Sequence, residues 1–96
     1  MLVIITYDVN VTSQGGARRL RKVSKACQNY GQRVQNSVFE CVLDSTQLKQ
    51  LKIQLTEIID QDKDSLRFYN LGKNYKTKVD HIGVNNSYDI DEPLIF

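Results

Sequence analysis

Asp8 closes the apolar run Leu2-Val3-Ile4-Ile5-Thr6-Tyr7, and the next acidic side chain is Glu40. The six charged residues between them are all basic: Arg18, Arg19, Arg21, Lys22, Lys25 and Arg33. A carboxylate carried to the end of a buried strand is a candidate ligand for a hard cation, and cations behind it would draw an anionic polymer towards it. A plainer role for Asp8 is to cap the loop that follows, as Asp often does at turns. Solvated helix faces also carry Lys and Arg routinely. Here, however, no Glu accompanies the cations, so the favourable pairs at helical spacing are forgone. Phosphate contact explains that pattern better, with an affinity that falls as salt rises and carries no sequence code.

The elements that must position these groups follow from periodicity. Leu2 to Tyr7 is β-branched and aromatic, as a central strand requires. Val9 to Gly16 is a polar loop in which Gly15 and Gly16 supply backbone freedom, with Thr12 or Ser13 as a helix cap. Ala17, Leu20, Val23, Cys27 and Tyr30 mark one helical face, and Gly31 is the expected stop. From Arg33 to Leu43 the sequence is strand-like, but its alternation changes phase at Asn36-Ser37, which predicts either a tight hairpin or a bulge. Asp44 opens a second amphipathic helix with Leu48, Leu51, Leu55, Ile58 and Ile59 on one face. Leu66 to Leu71 is another strand, and Val79 to Ile82 resembles a short extra one.

This order predicts an α+β fold, the ferredoxin-like βαββαβ arrangement with an additional C-terminal strand. Both helices would cover one face of an antiparallel sheet, leaving the other for water, ligand or a second subunit. Residues 1–83 form the expected domain and residues 84–96 a tail. A chain of 96 residues with net charge +2 is near the lower limit for a self-sufficient core, so a homodimer is the default. The opening apolar run is too short for a signal peptide or a membrane span, so the expected location is the cytoplasm, away from membranes. Cys27 and Cys41 fall on apolar phases and are expected as buried thiols, not as a disulfide.

Tyr7-Asp8-Val9, the basic helix Arg18-Arg19-Leu20-Arg21-Lys22-Val23, the segment Gly31 to Glu40 with its Gln35-Asn36-Ser37-Val38-Phe39-Glu40 ending, and the strand Ser65 to Leu71 resemble the small CRISPR-associated nuclease family. This is the dimeric partner of the spacer integrase in CRISPR adaptation. The resemblance implies a homodimer with facing sheets, the extra strand crossing to the neighbour's edge. It also implies a magnesium-dependent endonuclease, acting on RNA or double-stranded DNA, in spacer acquisition and antiviral defence. Carried over by position, Asp8 matches the metal-binding aspartate and Tyr7 the aromatic before it, while Arg33, Ser37 and Phe39 match positions that shape the catalytic site. Arg18, Arg19, Arg21, Lys22 and Lys25 become the nucleic-acid-binding set.

Magnesium keeps several waters and is often held by one or two carboxylates plus substrate phosphate, and manganese accepts the same oxygen donors. A two-fold axis between the sheets would bring Asp8 and its symmetry mate together. The alternative within the same family resemblance is a non-catalytic DNA-binding scaffold of the integrase complex. A small-ligand regulatory domain would not need such charge segregation. His81 suits proton transfer by its ordinary pKa but lies far along the chain from Asp8, and Gly15-Gly16 lacks the spacing of a phosphate-binding loop. The tail, acidic at Asp89, Asp91 and Glu92 and apolar at Pro93 to Phe96, is expected to dock on the integrase subunit.

Overall fold

A computed structural model describes residues 1–84. The elements run β1 (Leu2–Asp8), α1 (Gly16–Gln28), β2 (Gly31–Gln35), β3 (Val38–Val42), α2 (Ser45–Ile58) and β4 (Ser65–Gly72). The four strands form one sheet in the order β2-β3-β1-β4, with every neighbouring pair antiparallel. Each helix connects two parallel strands that are separated by a third, which is the expected ferredoxin-like topology.

Strand alternation sorts β1 cleanly. Val3, Ile5 and Tyr7 are buried beneath the helices with Leu20, Val23, Cys27, Phe39, Cys41, Leu51 and Leu55. On the other face Ile4 pairs with Glu40 and Tyr69, and Thr6 pairs with Val38 and Arg67. That face is only half covered: Ile4, Thr6 and Val38 are half-buried and Tyr69 is exposed. Burial pushes the Glu40 carboxyl upward there, against a hydrogen bond from Gln32 and the charge of His81.

Both explanations of the phase change at Asn36-Ser37 hold. These two residues turn the β2–β3 hairpin, and the ladder also slips between Arg33 and Gln35. Asp44 caps α2 in a reciprocal capping box with Gln47. The start of α1 departs from expectation, because its N-cap is Gly15 in the left-handed region (φ 80°), with no side-chain cap from Thr12 or Ser13. Ala17 is exposed, so the buried stripe of α1 begins at Gly16 and Leu20. Gly31 opens β2 instead of stopping α1; a Cβ there would lie 1.9 Å from the Glu40 carbonyl oxygen. Strand contact, not helix termination, requires that glycine.

The extra strand is not formed among the described residues: residues 79–82 have no ladder partner there. A strand exists only through pairing, and residues 79–82 pair with neither of the sheet's edge strands, β2 and β4. The tail residues named above lie outside the described residues. Cys27 and Cys41 are free and buried, and their mutual hydrogen bonding together with burial raises the Cys27 thiol pKa. Among the described residues no helix is long and apolar enough to cross a membrane.

Candidate active site at the end of β1

Asp8 ends β1 opposite Ser65 of β4, on the pleat shared with Ile4 and Thr6. Its side chain is exposed and has no hydrogen bond or ion pair among the described residues. The loop-capping work falls to Asn10, whose Oδ1 accepts from the Thr12 backbone N–H (3.2 Å) and hydroxyl (2.7 Å). The Asn10 carbonyl accepts from the Ser13 backbone N–H and hydroxyl. Asp8 is therefore spared the turn role that its position suggested.

The loop that follows is braced, not loose. Gly16 lets it lie against the start of α1, since a Cβ there would meet the Asn10 carbonyl oxygen at 2.1 Å. Arg19 reaches back to donate to the Gln14 carbonyl (3.0 Å) and the Ser13 hydroxyl (3.0 Å). The same guanidinium makes two hydrogen bonds to Asp64, at 2.8 and 3.3 Å, in an ion pair whose side chains are 14% and 0% exposed. Tyr7 donates its hydroxyl to Asp64 at 2.5 Å, and the Asp60 backbone N–H donates to it at 3.0 Å.

This network ties β1, the β1–α1 loop, α1 and the α2–β4 turn together. Burial by itself would raise the Asp64 carboxyl, but the bonds from Arg19, Tyr7 and Asp60 outweigh it and hold its pKa at about 2. Burial and Asp64 together raise the Tyr7 hydroxyl well above its usual range. Asp64 had no distinguishing signal in the polar run Gln61-Asp62-Lys63-Asp64. Only its distance in space from Arg19 and Tyr7 reveals it.

The site residues named from the sequence thus separate. Tyr7 and Phe39 are core side chains, 1% and 0% exposed, and Tyr7 also borders the cleft at the end of β1. Ser37 lies beside Asp8: its carbonyl accepts from the Tyr7 backbone N–H at 2.9 Å, fixing the hairpin tip to the end of β1. Arg33 lies 5.9 Å from the centre of the Phe39 ring and donates to the Asn36 carbonyl and to Asn36 Oδ1. Asp8, Ser37 and Asn36 line one open cleft of about 410 Å3 with Tyr7, Val11 and Leu20. Asn36, one residue of the Gln35 to Glu40 motif, owes its place at the cleft to the hairpin.

On α1, Arg18, Arg21, Lys22 and Lys25 are exposed at i, i+3, i+4 and i+7 spacing, opposite the buried Leu20, Val23 and Cys27. Arg19 leaves this stripe for Asp64. Arg67 joins the Asp8 face of the sheet through its pairing with Thr6. The exposed His81 has a ring nitrogen 3.0 Å from the Val84 carbonyl and acts electrostatically on Glu40, which pairs with Ile4 four residues before Asp8. No group of three or more His, Cys, Asp or Glu that could hold a metal occurs among the described residues. At the end of β1, among the described residues, one chain offers the open carboxylate of Asp8, a donor that fits magnesium when waters, phosphate or a second carboxylate complete the shell.

Comparison with known proteins agrees with this architecture. The family described as CRISPR associated protein Cas2 matches residues 1–79. A CRISPR-associated endonuclease Cas2 of Halalkalibacterium halodurans is 70% identical over 96 residues, covering 100% of both chains. A CRISPR-associated endoribonuclease Cas2 of Nitratidesulfovibrio vulgaris is 56% identical over 95 residues, covering 99% of this chain and 93% of its own. The crystal structure of Streptococcus pyogenes Cas2 at pH 6.5 superposes with a TM-score of 0.79 at 52% identity, covering 86% of this chain and 100% of that one.

Proposed function

We propose that this chain, which belongs to the CRISPR associated protein Cas2 family, is a metal-dependent endonuclease that hydrolyses phosphodiester bonds with Asp8 at its centre. The observation that carries this reading is the open carboxylate of Asp8, exposed and without a hydrogen bond or ion pair among the described residues while Asn10, Arg19 and Asp64 are engaged with other partners. Two copies related by a two-fold axis, packed through the half-covered sheet face, would contribute two such carboxylates. That face offers Ile4, Val38 and Tyr69 for burial.

Bound at Asp8, Mg2+ or Mn2+ would supply Lewis acidity and a water acidified enough to act as nucleophile. The protein's own contribution is placement. Asp8 is held by β1, which is fixed on one side by the Asp64 network and on the other by the bond from Tyr7 N–H to the Ser37 carbonyl. Arg67, on the same face, is a cation placed to meet substrate phosphate. The expected context is CRISPR spacer acquisition with an integrase partner, with RNA or double-stranded DNA as substrate.

The test is cleavage of labelled RNA and duplex DNA by wild type and Asp8→Asn, with Mg2+ and with chelator. Metal-dependent cleavage lost in the variant supports the reading. Equal traces from both proteins would sink it.

A second reading has its own observation. The stripe of Arg18, Arg21, Lys22 and Lys25 faces away from the sheet, whereas Asp8 belongs to the opposite sheet face. Duplex held along α1 would be positioned without being presented to Asp8, which suits a dimeric DNA-binding scaffold. Duplex binding that is salt-sensitive, lost on neutralising the stripe and indifferent to Asp8→Asn would identify this second role.

A further inference from the structure

We propose that the cleft beside Asp8 is a subsite for one unpaired nucleobase, with Asn36 as its specificity-determining residue. The inference rests on the nuclease reading above, because it places that base next to the phosphate that Asp8 would serve. Its volume of about 410 Å3 lies within the roughly 300–1,000 Å3 typical of small-molecule sites. Its wall is apolar where a flat ring would stack: Val11 is 53% exposed despite its side chain, and Leu20 continues the surface towards α1.

The polar rim is oriented in advance. Arg33 donates to both the carbonyl and Oδ1 of Asn36, so the carboxamide oxygen is taken and the Asn36 amide N–H groups remain as donors. Ser37 lines the cleft beside it, its backbone carbonyl held by the Tyr7 N–H. An amide donor beside an apolar wall suits the acceptor edge of a base. Arg33 is accordingly a positioning residue for Asn36.

The loop that carries Val11 is braced by Asn10, Ser13 and Arg19, so the wall is formed before a ligand arrives. A stacked, paired base cannot enter such a cleft. Single strands, loops and frayed ends expose bases that can. The subsite therefore favours single-stranded nucleic acid over duplex, whereas the α1 stripe, acting through charge, does not distinguish them.

A titration without divalent metal tests this apart from activity. The probes are single-stranded RNA and DNA oligonucleotides carrying one 2-aminopurine, and a duplex of equal length. Wild type should change the fluorescence of the single strands. Asn36→Ala and Val11→Ala, both at exposed positions, should each weaken single-strand binding about two- to tenfold, the size of one lost hydrogen bond or partial stack. Duplex binding should be unchanged. The RNA and DNA arms report whether the sugar contributes. Equal single-strand affinity for wild type and both variants would overturn the subsite, as would an equal loss on duplex. Mapping of cut sites on a mixed-sequence RNA adds a second readout: Asn36→Ala should flatten the base preference beside the cut. If wild type cut nothing, the nuclease reading would fall, and the titration would still decide the subsite.

Discussion

Tyr7 and Asp8 are adjacent in the chain, yet the two faces of β1 give them opposite circumstances. Tyr7 points under the helices, is 1% exposed, and spends its hydroxyl on Asp64, which is itself held by Arg19 and the Asp60 backbone. Asp8 points to the open face and has no such partner among the described residues. Polar groups taken out of water must be satisfied, or each costs on the order of 1–3 kcal/mol. A group left at the surface can stay unsatisfied and available. The buried side of the strand end thus provides rigidity, and the open side leaves a carboxylate available, one residue apart.

The sharpest way to break this comparison is at Asp8. Asp8→Asn should reduce metal-dependent cleavage roughly 10³-fold, matching the loss of several kcal/mol of transition-state stabilisation. Its melting temperature should stay near wild type, because the exposed side chain supports nothing else and surface changes usually stay within about 0.5 kcal/mol. Asp64→Ala should show the reverse pattern. Removing the acceptor strands Arg19 and the Tyr7 hydroxyl, and denaturant titration should register a loss of about 3 kcal/mol.

Tyr7→Phe keeps the ring in the core and deletes one donor to Asp64, so a smaller loss of about 1–2 kcal/mol is expected by the same titration. Acid sharpens the same point. Asp64 has its folded pKa lowered to about 2 from the ordinary 3.8. Between these values the unfolded chain binds more protons, so the stabilisation is full above the ordinary value and is lost as pH falls towards 2. Wild-type stability should decline over that window, and the decline should be shallower in Asp64→Asn, which cannot titrate.

The smallest effect belongs to the helix stripe. Lys22→Gln should weaken duplex binding evenly across sequences and reduce the slope of log affinity against log salt by about one. Stability should be unaffected, since Lys22 is exposed.

Much of this molecule was legible before any coordinates. The β-branched and aromatic run Leu2 to Tyr7, the helical spacing of Leu20, Val23 and Cys27, and Asp44 ahead of the Leu48 to Ile59 stripe all record local rules of strand, helix face and cap. The phase change at Asn36-Ser37 was equally local, and it marked both the hairpin and the bulge. What misled was long-range. Gly31 resembles a helix stop until β3 is seen lying against it. Arg19 resembles its basic neighbours until Asp64, 45 residues later, is found beside it. Val79 to Ile82 has the composition of a strand but pairs with neither edge of the sheet among the described residues.

The sequence by itself determined the element order, the βαββαβ topology, the basic stripe and the candidacy of Asp8, because each depends on periodicity or on the residue types that a short segment carries. Only the tertiary structure decided that Tyr7 and Phe39 are buried in the core, that Asn10 takes the capping role beside Asp8, and that Arg33 is hydrogen-bonded to Asn36. These outcomes depend on which groups the packed sheet and helices bring within hydrogen-bonding distance, and a buried polar group must take whatever partner the fold places there.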